Sequence, residues 1–338
     1  MFACSFLFVF LAGIVAARPV DPVSARNPAA PRNFKFYGIN ESGPEFGEGK
    51  IPGVKNREYV WPDLTTTDAY IAKGMNTFRI NILAERGVVG KNQTGGFATE
   101  YINDLKKTVK SYTDKGQYAM ICPHNYGRWY GQVIKDVDAF QGYWKNLASL
   151  FKDNDKVIFD TNNEFHDMDQ SLVVKLNQAA INGIRAAGAK TQYITVEGNA
   201  WTGAWSWTSS GNAATMIKLT DPSDKLIYQM HQYLDGDSSG THDSCVSITI
   251  GAERLKDATA WLRKEKKIGL IGEFAGGNNA VCKQAVEGLL KFMVANKDVW
   301  CGAMWWSAGP WWGDYMFDME ANKGIAWKRY SDLVTKYA

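Results

Sequence analysis

Eight short apolar runs recur along the chain, at residues 34–40, 75–80, 118–122, 157–160, 193–196, 226–230, 268–271 and 300–306. Short runs rich in Val, Ile and aromatic residues read as strands buried on both faces, as a parallel sheet requires. Between most of them lie segments of helical period, among them Tyr101-Ile-Asn-Asp-Leu-Lys-Lys-Thr-Val109, Leu172-Val-Val-Lys-Leu-Asn-Gln-Ala-Ala180 and Ala258-Thr-Ala-Trp-Leu262. Lys73-Gly74, Lys115-Gly116 and Ala187-Gly188 each stand just before the next run, as a helix closing on a left-handed glycine does. Eight strands alternating with helices predict an α/β fold, a single-domain (β/α)8 TIM barrel, which commonly needs about 250 residues. An open doubly wound sheet shares this alternation, but no Gly-rich dinucleotide turn follows the first run. No Pro/Ser linker or break in composition divides residues 34–338.

A net charge of +3 over 338 residues, with no Lys/Arg block, gives no footing for nucleic acid or an anionic membrane. Residues 1–17 are apolar and end in Val15-Ala16-Ala17, small residues suited to signal-peptidase cleavage. The stretch is short for a membrane span. Residues 18–33 are Pro-rich and polar and read as a disordered leader or pro-segment, so the chain is expected to be secreted and extracellular. Of its five cysteines, Cys4 would leave with the signal. Cys245 and Cys282 lie in or beside loop-like stretches, which favours them as a disulfide pair in an oxidising compartment. Cys122 and Cys301 sit inside apolar runs, where a thiol behaves as a small hydrophobe. Asn92-Gln-Thr94, in a Gly-rich loop, is a candidate glycosylation site.

In a (β/α)8 barrel the chemistry sits at the C-terminal ends of the strands. The polar residues there are Asn40, Arg79, His124, Asn163-Glu164, Asn199, His231 with Tyr233, Glu273 and Trp306. Two of them are carboxylates, and strands four and seven of eight face each other across the mouth. Two carboxyls about 5–5.5 Å apart around an anomeric carbon suit retaining glycoside hydrolysis, in which one protonates the leaving oxygen and the other attacks. On this reading Glu164 and Glu273 are the catalytic pair and Asn163 bonds a sugar 2-hydroxyl. Arg79 and Tyr233 would favour the charged form of Glu273, while His124 and His231 supply further donors.

Trp201, Trp205 and Trp207 follow the fifth run, and Trp305, Trp306, Trp311 and Trp312 lie in or after the eighth. Each indole face offers ~150–250 Å² to a glucose-like ring, and several along one groove imply a polymer. Asn40 and Asn199 join Trp201, Trp205, Trp306, Trp311 and Trp312 as substrate-binding candidates, although Asn at a strand end also satisfies turn backbones. A metal-dependent hydrolase would need ligands drawn from His124, His166, Asp167, Asp169 and His231. No His-x-His or His-x-x-x-His pair accompanies them, so no metal is expected. A sugar-binding protein without turnover would not require the acid pair.

His124-Asn-Tyr-Gly-Arg128, Phe159-Asp-Thr-Asn-Asn-Glu164, His231-Gln-Tyr233, Ile271-Gly-Glu-Phe-Ala-Gly-Gly277 and Gly309-Pro-Trp-Trp-Gly-Asp-Tyr315 resemble the active-site motifs of glycoside hydrolase family 5. The likeness is to its secreted fungal endo-β-1,4-glucanases, which consist of a barrel alone, and it runs from Phe36 to Trp327. It implies Glu164 as acid/base and Glu273 as nucleophile, with Arg79, His124, Asn163, His231, Tyr233 and Trp306 at supporting positions. It also implies a Cys245–Cys282 disulfide and no metal or organic cofactor. The expected activity is retaining hydrolysis of internal β-1,4 bonds in cellulose-type glucans, by a monomer. Mannan, xyloglucan and mixed-linkage glucan are the alternative polymers for the same chemistry. The chain departs from the family pattern after Arg79, where it reads Ile80-Asn81, and through residues 82–97.

Overall fold

Eight parallel strands close into a barrel in the computed structural model of the chain, which describes Met1 and residues 32–338. The strands are β1 (Phe36–Glu41), β2 (Thr77–Ile82), β3 (Tyr118–Pro123), β4 (Val157–Asp160), β5 (Tyr193–Glu197), β6 (Leu226–His231), β7 (Gly269–Phe274) and β8 (Trp300–Ala308). Each pairs with its neighbours in sequence, and β1 closes the ring on β8. The helices that follow them in turn are α1 (Thr67–Ala72), α2 (Thr99–Thr113), α3 (Val137–Ser149), α4 (Gln170–Ala186), α5 (Asn212–Met216), α6 (Lys256–Lys264), α7 (Ala280–Ala295) and α8 (Ile325–Lys336). This is the (β/α)8 barrel that the alternating pattern predicts, and it lies within Asn33–Ala338. The signal segment expected at 1–17 and the leader at 18–33 fall outside the described residues, apart from Met1 and residues 32 and 33.

Every residue of β1, β2, β4 and β7 is buried, since a barrel strand shows one face to the bore and the other to the helices. Phe36, Met120, Ile158, Ile227, Leu270 and Met304 fill the bore below the mouth as a separate apolar cluster. Side chains alternate with a period of two, so the next inward positions on β3, β4 and β6 are Cys122, Asp160 and Gln229. The bore therefore changes from apolar to polar within two residues, and the site begins at that level. Asp136, Asp169 and Asn279 cap α3, α4 and α7 by accepting the amides of Ala139, Leu172 and Cys282. Gly74, Gly116 and Gly188 adopt φ of 86°, 77° and 92° after α1, α2 and α4, as the Lys-Gly and Ala-Gly pairs anticipate.

Several strands run further toward the mouth than their apolar runs indicate. β5 continues to Glu197, β7 through Glu273 to Phe274 and β8 to Ala308, because the added polar side chains find partners in the mouth. A small antiparallel ribbon pairs Arg128–Trp129 with Gln132–Val133 and has no counterpart in the sequence reading. A disulfide joins Cys245, in the loop after β6, to Cys282 in the first turn of α7. Cys122 and Cys301 are free thiols. Among the described residues no helix is long and apolar enough to cross a membrane.

Candidate active site

Arg79 lies at the base of the mouth with no exposed surface. Burying a guanidinium is costly unless its N–H groups are all answered, and here they are. Nε donates to Asp160 Oδ2 at 2.9 Å, and Nη1 to Asn40 Oδ1 and Glu273 Oε1, both at 2.8 Å. Nη2 donates to Asn163 Oδ1 at 2.7 Å and to Glu197 Oε1 at 3.0 Å. One positive charge thus serves three buried acids from β4, β5 and β7. The sequence pattern puts Asn40 at the substrate. It is instead wholly buried, with Nδ2 donating to the carbonyls of Gly272 and Trp305, so it orients Arg79 from beneath.

The two strand-end glutamates meet above this floor with different partners. Glu273 Oε1 accepts from Arg79, and its Oε2 accepts from the Tyr233 hydroxyl at 2.6 Å. Burial raises the Glu273 pKa, while Arg79 and Tyr233 pull it back. Glu164 has neither of those bonds. Its Oε1 lies 2.7 Å from His231 Nδ1, and its side chain is 14% exposed toward the cleft. Burial, then the charge of Glu273, hold the Glu164 pKa well above the usual carboxylate range. One carboxylate oxygen of each glutamate and a nitrogen of His231 lie within 4.8 Å of one another. Burial and Arg79 keep His231 and His124 neutral, so His231 and Glu164 meet through a single neutral-ring hydrogen bond. Asn163 Nδ2 meets His124 Nε2 at 3.4 Å, and the His124 ring stacks on Trp306 at 5.2 Å.

Two hollows flank the pair and share Tyr126. One, of about 680 Å³, is lined by Glu164, His231, Tyr233, Trp201 and Trp205. Trp201 and Trp205 are 49% and 51% exposed, and Trp201 lies flat against His166 with ring centres 4.5 Å apart. The other, of about 520 Å³, is lined by His124, Trp306 and Trp312, together with Phe46, Glu45 and Glu85. Trp312 stacks on Tyr315 at 4.3 Å. Trp311 is exposed but lines neither hollow, and Trp207 and Trp305 are fully buried core residues rather than platforms. Asn199 also lines neither. Its Nδ2 donates to the Met168 carbonyl and its backbone pairs with the Asn212 side chain, so it ties loops together instead of facing substrate. Asn92 is exposed, and its Oδ1 accepts from both the amide and the hydroxyl of Thr94.

Asp160, Glu197 and Gln229 complete the floor and escape the sequence reading. Glu197 closes the run Tyr193-Ile-Thr-Val-Glu197, the same signal that singles out Glu164 and Glu273. Asn199, two residues further on, is the more conspicuous polar residue after this run. Of the residues weighed as metal ligands, His231 falls in a three-ligand cluster, but with Glu164 and Glu273 rather than with His124, His166, Asp167 or Asp169.

The family described as Cellulase (glycosyl hydrolase family 5) matches residues 39–309. The chain is 55% identical over 304 residues to "Endo-beta-1,4-glucanase A" of Emericella nidulans, covering 90% of this chain and 92% of the relative. It is equally 55% identical to "Endo-beta-1,4-glucanase B" of Aspergillus niger, covering 90% of each. Among solved structures it superposes on XacCel5A in complex with cellopentaose with a TM-score of 0.87 at 37% identity, over 91% of this chain and 100% of the other. Cel5A (EG2) from Hypocrea jecorina gives 0.78 at 28% identity, over 86% and 94%.

Proposed function

The chain belongs to the cellulase family, glycosyl hydrolase family 5, and we propose that it is a secreted endo-β-1,4-glucanase that cleaves cellulose-type glucans with retention of anomeric configuration. The observation that carries this is the unequal pair. Glu273 holds a cation and a phenol that favour its charged form; Glu164 holds a neutral histidine and is kept protonated by its surroundings.

In the first step an oxygen of Glu273 attacks the anomeric carbon while Glu164 gives its proton to the glycosidic oxygen. The bond to the leaving chain breaks and a glycosyl ester on Glu273 forms. Esterification removes the charge of Glu273, one of the causes that raise Glu164, so the Glu164 pKa falls and the residue stays ionised, as a general base must be. It then takes a proton from water, the water oxygen attacks the anomeric carbon, and Glu273 leaves as a carboxylate. Asn163, fixed by Arg79, supports a hydrogen bond to the sugar 2-hydroxyl. Aromatic walls on both sides of the pair support binding of sugar units on both sides of the cut, as internal cleavage demands.

Secretion is supported by the apolar stretch 1–17 and by the disulfide, which persists in oxidising compartments. The activity is tested by assaying carboxymethylcellulose with Glu164→Gln and Glu273→Gln. Both variants are expected to lose nearly all turnover, and wild-type rates in both would end the proposal. Product analysis on cellulose, mannan, xyloglucan and mixed-linkage glucan identifies the preferred polymer, with cellulose-type glucan expected to lead.

A further inference from the structure

Glu197 stands directly behind the acid/base glutamate and has no exposed surface. Its Oε2 accepts the backbone N–H of Glu164 at 2.7 Å. That amide belongs to a residue in the left-handed region, with φ of 46°, which a side-chain-bearing residue keeps only when its neighbours hold it there. The other oxygen of Glu197 is pinned by Arg79 at 3.0 Å and by the Gln229 amide. Gln229 is itself held by Asp160 at 2.8 Å. The same oxygen lies 3.6 Å from His231 Nε2, on the far side of the ring whose Nδ1 meets Glu164. Glu197 therefore reaches Glu164 directly, through the main chain that carries its carboxyl.

We propose that Glu197 is a positioning residue that aims the Glu164 carboxyl at the glycosidic oxygen, acting through the Glu164 amide. Buried acids that serve only as counter-ions need to touch only the cation. Glu197 instead divides its oxygens, one for Arg79 and one for the peptide that carries the proton donor. Asp160, the third acid on Arg79, makes no such bond to the Glu164 turn, so the two acids are not equivalent. Glu273 is anchored separately, by Arg79 Nη1 and Tyr233, and keeps both bonds if Glu197 changes.

This inference rests on the proposed glycosidase activity, and the test separates the two. In Glu197→Gln the shape is kept, but one end of the new amide places N–H groups where Glu197 accepted them. Specificity constants are compared for cellotetraose, whose leaving alcohol needs a proton, and for 2,4-dinitrophenyl β-cellobioside, whose phenolate leaves without one. The expected result is a loss of about tenfold or more on cellotetraose, carried by kcat with KM little changed, against less than about threefold on the aryl cellobioside. Equal losses on both substrates, or no loss on either, overturn the proposal. If Glu197→Gln does not fold, Glu197→Asp keeps the charge beside Arg79, withdraws the acceptor from the Glu164 amide and is judged by the same ratio. Should the wild-type protein cleave neither substrate, the proposed function itself fails.

Discussion

Replacing Tyr233 with Phe removes one hydroxyl from the active site and leaves the packing in place. The ring is buried and stacks on Phe317, and the Tyr233 main-chain carbonyl keeps its bond from Arg254. What is lost is the 2.6 Å O–H bond to Glu273 Oε2. Burial and the charge of Glu273 hold the phenol well above its ordinary pKa, so it stays a donor throughout the working range. A hydrogen bond to a charged acceptor is worth about 1.5–3 kcal/mol. At 1.36 kcal/mol per pKa unit, its loss raises the pKa of Glu273 by roughly one to two. The sign follows from which form it favours. The bond favours the carboxylate, so without it the nucleophile ionises only at higher pH. The acid limb of kcat/KM on a soluble cello-oligosaccharide should therefore move up by roughly one to two pH units, a 10–100-fold loss on that limb and a smaller one above it. The alkaline limb, set by Glu164, should move less, because the Glu164–His231 contact is untouched. A Tyr233→Phe profile scaled down equally at every pH, or an acid limb displaced downward, would refute the assignment of Glu273 as the group that must be ionised.

Trp201→Ala should raise KM for cello-oligosaccharides by about tenfold with a smaller effect on kcat, since it strips an exposed platform beside Glu164; steady-state kinetics decide this. Replacing Cys245 and Cys282 with Ser opens a loop of sequence separation 37, so unfolding should need up to about 4 kcal/mol less in denaturant titration. Glu45 is raised by burial to about 8, so the folded state holds its proton where the unfolded state has lost it. Stability should accordingly fall as pH rises from the ordinary glutamate value toward about 8, by up to a few kcal/mol. Glu45→Gln should flatten that fall in thermal melts; an unchanged slope would contradict the burial argument. Dialysis against EDTA should leave the hydrolysis rate unaltered, and a loss that Zn²⁺ restores would point instead to the cluster of Glu164, His231 and Glu273 as a metal site.

The barrel was legible because its strands are buried on both faces, so they appear as uninterrupted apolar runs. The strand ends were harder to read. Where apolar residues stop, the chain can either turn or continue extended with polar side chains in the mouth, and composition alone does not separate the two. That is why β5 and β7 continue to Glu197 and Phe274. Glu164 and Glu273 stand out because each lies a few residues beyond a strongly apolar run, at a strand end. Asp160 lies inside its apolar run and Glu197 one residue beyond its own, where Asn199 draws the eye instead, and nothing in the sequence says that one arginine gathers three acids. Asn40 and Asn199 mark the opposite error. Asn suits both a ligand contact and a backbone tie, and only burial and hydrogen-bond partners distinguish them. Tryptophan patterning has the same limit, for Trp201 and Trp205 face the cleft while Trp207, in the same stretch, is core.

The proposed mechanism has Glu273 attack while Glu164 manages the proton. It is tested most directly by incubating the wild-type protein with 2,4-dinitrophenyl 2-deoxy-2-fluoro-β-cellobioside, which slows turnover of the ester, and mapping the labelled peptide by mass spectrometry. The expected result is one fluorocellobiosyl group per chain, attached to the carboxyl of Glu273. A label on Glu164 or elsewhere, or hydrolysis with inversion and no covalent adduct, would contradict the account.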